Sequence, residues 1–218
     1  MLDDQKAPPP IGSADRSPSP PPSAAGRSWE EYVVPQNWDA FTAEDHAVWD
    51  LLFARQVELL GSRVVAPFLD GIDLLRLAHP GVPDVEGLNA ILSPRTGWRT
   101  VAVPGLVPDE VFFAMLSQQV FPVGNFIRTR EQLDYLDAPD CFHDMFGHIP
   151  MLAHHDYAEM TRHVGELGSA AIAAGEGHRA ARLLVQRRIR ARAGAKRAED
   201  PRCRPRVELR RSALQPGE

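Results

Sequence analysis

Aromatic residues run out early in this chain. Of its 218 residues, none after Tyr157 is Phe, Tyr or Trp, so the remainder lacks the large side chains that dominate core burial. Cysteine is almost missing: Cys141 and Cys203 are the only two, which argues against a disulfide framework. No apolar run approaches the roughly 20 residues of a membrane span, and no basic-then-apolar leader opens the chain. Both absences predict a cytoplasmic protein with no membrane partner. Acidic residues are scarce at the C-terminal end, where residues 179–218 carry 13 Lys/Arg against 4 Asp/Glu, a net of +9, whereas residues 1–178 carry 11 against 25, a net of −14.

What is present fits one domain with tails. A hydrophobic content of 44% is ordinary for a globular chain of this length. Residues 1–28 hold Pro8-Pro9-Pro10 and a second proline cluster ending at Pro22 with few large apolar groups. That composition cannot offset the entropy of ordering, so a disordered leader is expected. Thr42 with Asp45 three residues on predicts a helix start, and the segment runs to about Leu60 with Gly61 closing it. Val48, Leu51 and Leu52 lie on one face and Trp49, Phe53 and Leu60 on another, a pattern for a helix buried over much of its circumference. Weak alternation over Trp98–Val103 predicts one short strand. Asp109 and Glu110 open a helix through Phe112, Phe113, Met115 and Leu116, which Pro122 is expected to stop. Asn125–Arg128 reads as a short extended piece and Glu131–Leu136 as a helical turn. Helix dominates.

The block Asp140-Cys-Phe-His143-Asp144-Met-Phe-Gly147-His148-Ile-Pro150 holds two histidines five apart. Five residues rotate a helix by about 500°, so both imidazoles reach one ion only if the helix ends or distorts between them. Gly147 is the expected source of that freedom, with Pro150 ending the element. Imidazole suits iron, zinc and copper alike. Asp144 stands beside the first histidine, placed to orient a histidine or a bound water, or to accept from a second substrate.

With its flanks, this block closely resembles the iron-binding signature of the pterin-dependent aromatic amino acid hydroxylases. The resemblance extends through Tyr32-Val-Val-Pro35, Thr42-Ala-Glu-Asp-His-Ala-Val-Trp49, Leu92-Ser-Pro-Arg-Thr-Gly-Trp98, Val103-Pro-Gly-Leu-Val107 and Asn125-Phe-Ile-Arg128. It covers roughly two-thirds of the chain, in order and spacing, and fades after about Gly168. It implies a mainly α fold, a helical basket with minor short strands like the family's catalytic domain, incomplete at the C-terminus. It implies domains at 1–28 (leader), 29–175 (partial catalytic domain) and 176–218 (basic tail). It further implies hydroxylation of L-phenylalanine to L-tyrosine with O2 and a tetrahydropterin at Fe(II), within phenylalanine catabolism. His143 and His148 match the family's iron histidines. Arg128 matches the arginine that takes the amino-acid carboxylate, Asp140 its acidic support, and Tyr135 falls beside that pocket. Gly105, Leu106 and Val107 match the loop against the pterin ring, Phe112 the aromatic stacked on it, and Asp144 the acidic residue that positions pterin or a water.

One departure stands out. The family's third iron ligand is a glutamate about 40 residues after the second histidine, and that count lands near Arg188. The nearest glutamates are Glu176 and Glu199. An arginine beside Fe(II) is repelled, not recruited. The tail from about residue 176 therefore reads as out-of-frame and disordered, leaving an impaired hydroxylase that binds Fe(II) weakly. Two alternatives are a nucleic-acid-binding protein acting through the Arg-rich tail, and a zinc hydrolase using some of His155, Glu159 and His163 with His148. No recognisable assembly helix is present, so a monomer is expected.

Overall fold

A computed structural model describes residues 27–60 and 63–177 of the chain. The leader up to residue 26, Gly61, Cys203, Arg188 and the basic tail from residue 178, with every expectation attached to them, lie outside the described residues.

Helix α1 spans Ala43–Leu60 and starts where expected. Thr42 Oγ1 accepts from Asp45 N (3.2 Å) while Asp45 Oδ2 accepts from Thr42 N (2.9 Å), so two amides that a helix end leaves unpaired are satisfied reciprocally. Val48, Trp49 and Leu52 are buried, Leu51, Phe53 and Leu60 half-buried, so the circumference is covered along its first half. Helix α2 follows over Ala66–Leu74 and α3 over Val85–Thr96. Asp84 caps α3 by accepting from Glu86 N and Gly87 N, and Gly97 ends it at φ 76°, a left-handed conformation that glycine adopts without steric cost.

Next comes a βαβ unit. Strand β1 (Arg99–Val103), helix α4 (Asp109–Ser117) and strand β2 (Val120–Gly124) place the two strands parallel, with Thr100 opposite Phe121 and Val103 opposite Gly124. Parallel pairing requires such a crossover. Two expectations fail here. Pro122 does not stop α4: the helix ends at Ser117, Gln119 turns the chain at φ 60°, and Pro122 lies within β2. Proline is tolerated because a two-stranded sheet leaves one side of β2 unpaired, so the missing N–H costs no ladder bond there. The extended piece lies at Val120–Gly124, ahead of Asn125–Arg128. The helical turn expected over Glu131–Leu136 is a 3-10 turn at Arg130–Gln132.

Helices α5 (Cys141–Gly147), α6 (Ile149–Leu152) and α7 (His155–Ala173) complete the described chain. Helix α7 packs directly on α4. A Cβ at Gly165 would meet Ser117 N at 2.3 Å, and one at Gly168 would meet Phe113 Cδ1 at 2.1 Å. The main core gathers Trp49, Leu77, Leu92, Trp98, Met145, Ile149 and Leu152, each such side chain contributing about 1.5–3 kcal/mol by leaving water. A second cluster joins Trp29, Tyr32, Val103, Val107, Val111, Met115 and Val120. The fold is the expected helical one with minor strands, and no described helix is long and apolar enough to cross a membrane.

Candidate metal centre

His143 projects from α5, while His148 is both the C-cap of α5 and the N-cap of α6, at φ −122° and ψ −46°. The break that the spacing requires is therefore made at His148 itself. Gly147 stays inside α5 without a positive φ, contrary to its expected role, and Pro150 sits in the first turn of α6. Its ring and missing N–H forbid α5 from continuing but suit a new helix start. The result brings His143 Nε2 and His148 Nε2 to 3.3 Å, with the rings at 60°. Two imidazole nitrogens sharing one ion at about 2.1 Å, at a right to tetrahedral angle, stand about 3.0–3.4 Å apart. The pair has the geometry of two adjacent ligands. Phe121, buried on β2, lies against the His148 ring at 5.4 Å between centroids.

Asp140 anchors the other end of α5. It is fully buried, and its Oδ1 accepts from His143 N (3.0 Å), capping the helix. The same carboxylate takes both edge donors of Arg128, Nε to Oδ2 at 2.8 Å and Nη2 to Oδ1 at 3.0 Å, and also Arg128 N at 3.0 Å. A planar guanidinium suits this bidentate bond, which holds the Arg128 pKa above its usual value. Arg128 and His143 both line a cleft of about 380 Å³ with Tyr135, Asp137, Ala138 and Pro139. Tyr135 is largely exposed at 75%, and its hydrogen bond to Asp137 raises its phenol pKa. A larger depression of about 510 Å³ over Asp70, Asp73, Leu74, Arg95 and His154 contains none of the candidate residues.

Asp144 points from α5 to the end of β2, where its Oδ2 accepts from Gly124 N at 2.9 Å. Burial pushes its carboxyl up to about 7, with the Gly124 bond opposing and the Asp140 charge adding to the rise. Burial likewise raises the Cys141 thiol well above its ordinary value, so this cysteine is a neutral core group and no thiolate ligand. On the pterin-matched loop Leu106 is exposed, while the Val107 side chain is buried in the second core cluster. Phe112 is half-buried, edge-on to Phe113 and Phe121 at 6.0 and 6.2 Å. Rings from Phe112 through Phe121 thus reach His148.

The structure does not assemble the alternative zinc set. His155, Glu159 and His163 share the outer face of α7, where Glu159 pairs with Arg162 and His163, and no group of three His, Cys, Asp or Glu among the described residues is placed to hold a metal. Glu176 is therefore not brought to the histidine pair. Nothing in the sequence alone points to Phe121 or Gly124, because their contacts join distant segments. The cap by Asp140 was readable, as an Asp preceding a helical run.

The family model described as biopterin-dependent aromatic amino acid hydroxylase matches residues 34–183. The phenylalanine-4-hydroxylase of Caulobacter vibrioides is 44% identical over 163 residues, 75% of this chain and 54% of that protein. Its Chromobacterium violaceum counterpart is 44% identical over 145 residues, 66% of this chain and 49% of that protein. The chain thus spans about half the length of the curated relatives it matches. Among solved structures, the Chromobacterium violaceum phenylalanine hydroxylase bound to iron and phenylalanine aligns with a TM-score of 0.62 at 40% identity, covering 69% of this chain and 55% of that one. The same enzyme with iron(III) and 7,8-dihydrobiopterin aligns at 0.61 and 45% identity, covering 64% and 50%.

Proposed function

The chain belongs to the biopterin-dependent aromatic amino acid hydroxylases, and from that membership we propose that it carries the two-histidine and arginine portion of an enzyme converting L-phenylalanine to L-tyrosine with O2 and a tetrahydropterin. The observation that carries this reading is one network: the buried Asp140 carboxylate fixes the backbone of His143 and the guanidinium of Arg128, while the His143 and His148 nitrogens converge to 3.3 Å.

The pair supplies the two imidazoles of a two-histidine, one-carboxylate Fe(II) site, and the described residues add no carboxylate to it. His143 and His148 hold the ion in this reading, and Phe112, Asp144 and the backbone of Gly105, Leu106 and Val107 hold the pterin. Iron and tetrahydropterin together supply dioxygen activation, with two electrons from the pterin. Arg128 binds the amino-acid carboxylate from the cleft wall beside His143, directing the aromatic ring toward the histidine pair. Asp140 keeps the guanidinium edge aligned, Tyr135 borders the substrate, and Asp144 positions the pterin or a water. That the Chromobacterium violaceum enzyme has been solved with iron and phenylalanine and with iron(III) and dihydrobiopterin supports the choice of metal, substrate and cofactor in this reading.

As given, the sequence has Arg188 where the family's third ligand is counted, so the reading includes weak Fe(II) binding and slow turnover by this chain, acting as a cytoplasmic monomer. The test is anaerobic loading with Fe(II), then addition of O2, phenylalanine and tetrahydropterin, with tyrosine quantified. Slow tyrosine formation that requires pterin and vanishes in His143→Ala is expected. Stoichiometric zinc with pterin-independent hydrolysis would overturn the reading.

A further inference from the structure

Helix α6 has four residues, too few to hold its own shape, since a helix gains little until several turns exist. It nevertheless begins directly after His148. Its placement therefore comes from elsewhere in the fold. On one side lies Gly71 of α2. A Cβ at Gly71 would stand 2.1 Å from the Pro150 carbonyl oxygen and 2.6 Å from its carbonyl carbon. On the other side the end of α3 grips the carbonyls that close α6: Thr96 Oγ1 donates to Leu152 O and Arg95 Nε to Ala153 O, both at 2.9 Å. His154 Nε2 donates to Pro67 O at 2.6 Å, tying the segment after α6 back to the start of α2. Ile149 and Leu152 are fully buried, so α6 cannot shift without disturbing the core.

We infer that Gly71 is a positioning residue for the metal pair: the bare backbone of α2 is the seat on which Pro150 rests, and that seat sets where His148 points. This rests on the reading of His143 and His148 as metal ligands. A methyl group at Gly71 requires the Pro150 carbonyl to retreat by ~1 Å to reach ordinary contact. Pro150 is two residues from His148, and metal–ligand distances tolerate only about 0.2 Å. Thr96 acts in the same sense from the opposite side, through a single hydrogen bond.

The experiment titrates the purified full chain with Co(II), following its visible d–d spectrum and dissociation constant, with thermal unfolding measured on the same samples. Gly71→Ala is expected to weaken Co(II) binding by roughly 10- to 100-fold and to alter the spectrum of the folded protein. Gly168→Ala is the control, since its Cβ would meet Phe113 in the α4–α7 contact; it is expected to lower the unfolding temperature and leave the folded chain's Co(II) constant unchanged. Thr96→Val, which removes the hydroxyl that bonds Leu152 O at 2.9 Å and, more weakly, Leu92 O within its own helix at 3.4 Å, is expected to weaken Co(II) about threefold and replaces Gly71→Ala if that variant does not fold. A folded Gly71→Ala with the parent's constant and spectrum overturns the inference, as does Thr96→Val doing so in its place. A parent chain that binds no Co(II) through His143 and His148 removes the underlying metal reading instead.

Discussion

The block from Asp140 to His148 and the outer face of α7 from His155 to Glu166 contain nearly the same inventory: two histidines and an arginine within reach, with two carboxylates in the first and three in the second. On α7 the partners are one turn apart on the same helix. Arg162, half-buried, bonds Glu159 and Glu166, and His163 lies 3.7 and 3.4 Å from the same two carboxylates, with the histidine and both glutamates substantially exposed. In the first block the partners come from elsewhere in the fold. Asp140 binds Arg128 from beyond the β2 strand, Asp144 binds the Gly124 amide, and His148 rests on Phe121. Pairs within one helix form wherever the spacing recurs, and water screens them. A carboxylate shut away from water persists only if its bonds are satisfied, so a buried set of this kind has a fixed geometry. The composition of a cluster says little; the origin of its partners says more.

Asp140→Ala is the most damaging way to probe that contrast. It leaves the Arg128 charge unpaired in a half-buried position and uncaps α5, and a loss of roughly 3–5 kcal/mol is expected, read by urea denaturation. His148→Ala ranks next: metal affinity is expected to fall by more than about 100-fold, while the unfolding midpoint moves little, checked by Co(II) titration against calorimetry. Arg128→Lys keeps the charge and loses the two-point bond, so phenylalanine affinity is expected to drop at least about tenfold, roughly 1.4 kcal/mol, measured by calorimetric titration. His163→Ala on α7 is the smallest change, with a midpoint shift of at most about 2 °C and unchanged metal affinity. A large metal effect at His163 would erase the distinction between the two regions.

Local chemistry was the legible part of the fold. The Thr42–Asp45 exchange, the acidic start of α4 and the alternation over β1 each depend on residues within a few positions of one another. Strand β2 escaped because its identity comes from pairing with β1 across a whole helix, and Pro122 argues against a strand until the vacant edge is seen. The site divides in the same way. The family pattern picks out His143, His148, Arg128 and Asp140, and the structure gathers all four around α5. The break falls at His148 and not at Gly147, because it needs only an accessible negative φ and not the unusual backbone that glycine serves. The chain gave no warning that Val107 would be buried, since core membership depends on strands and helices that meet it from afar.

Asp140 has a thermodynamic consequence of its own. One carboxylate touches both the arginine proposed to receive the amino acid and the amide of a residue proposed to hold the metal. Any redistribution of its hydrogen bonds when one guest arrives alters the free energy of the other, and linkage makes that influence reciprocal: the factor by which phenylalanine changes metal affinity equals the factor by which metal changes phenylalanine affinity. Ordered or cooperative loading would then follow from a single shared oxygen pair.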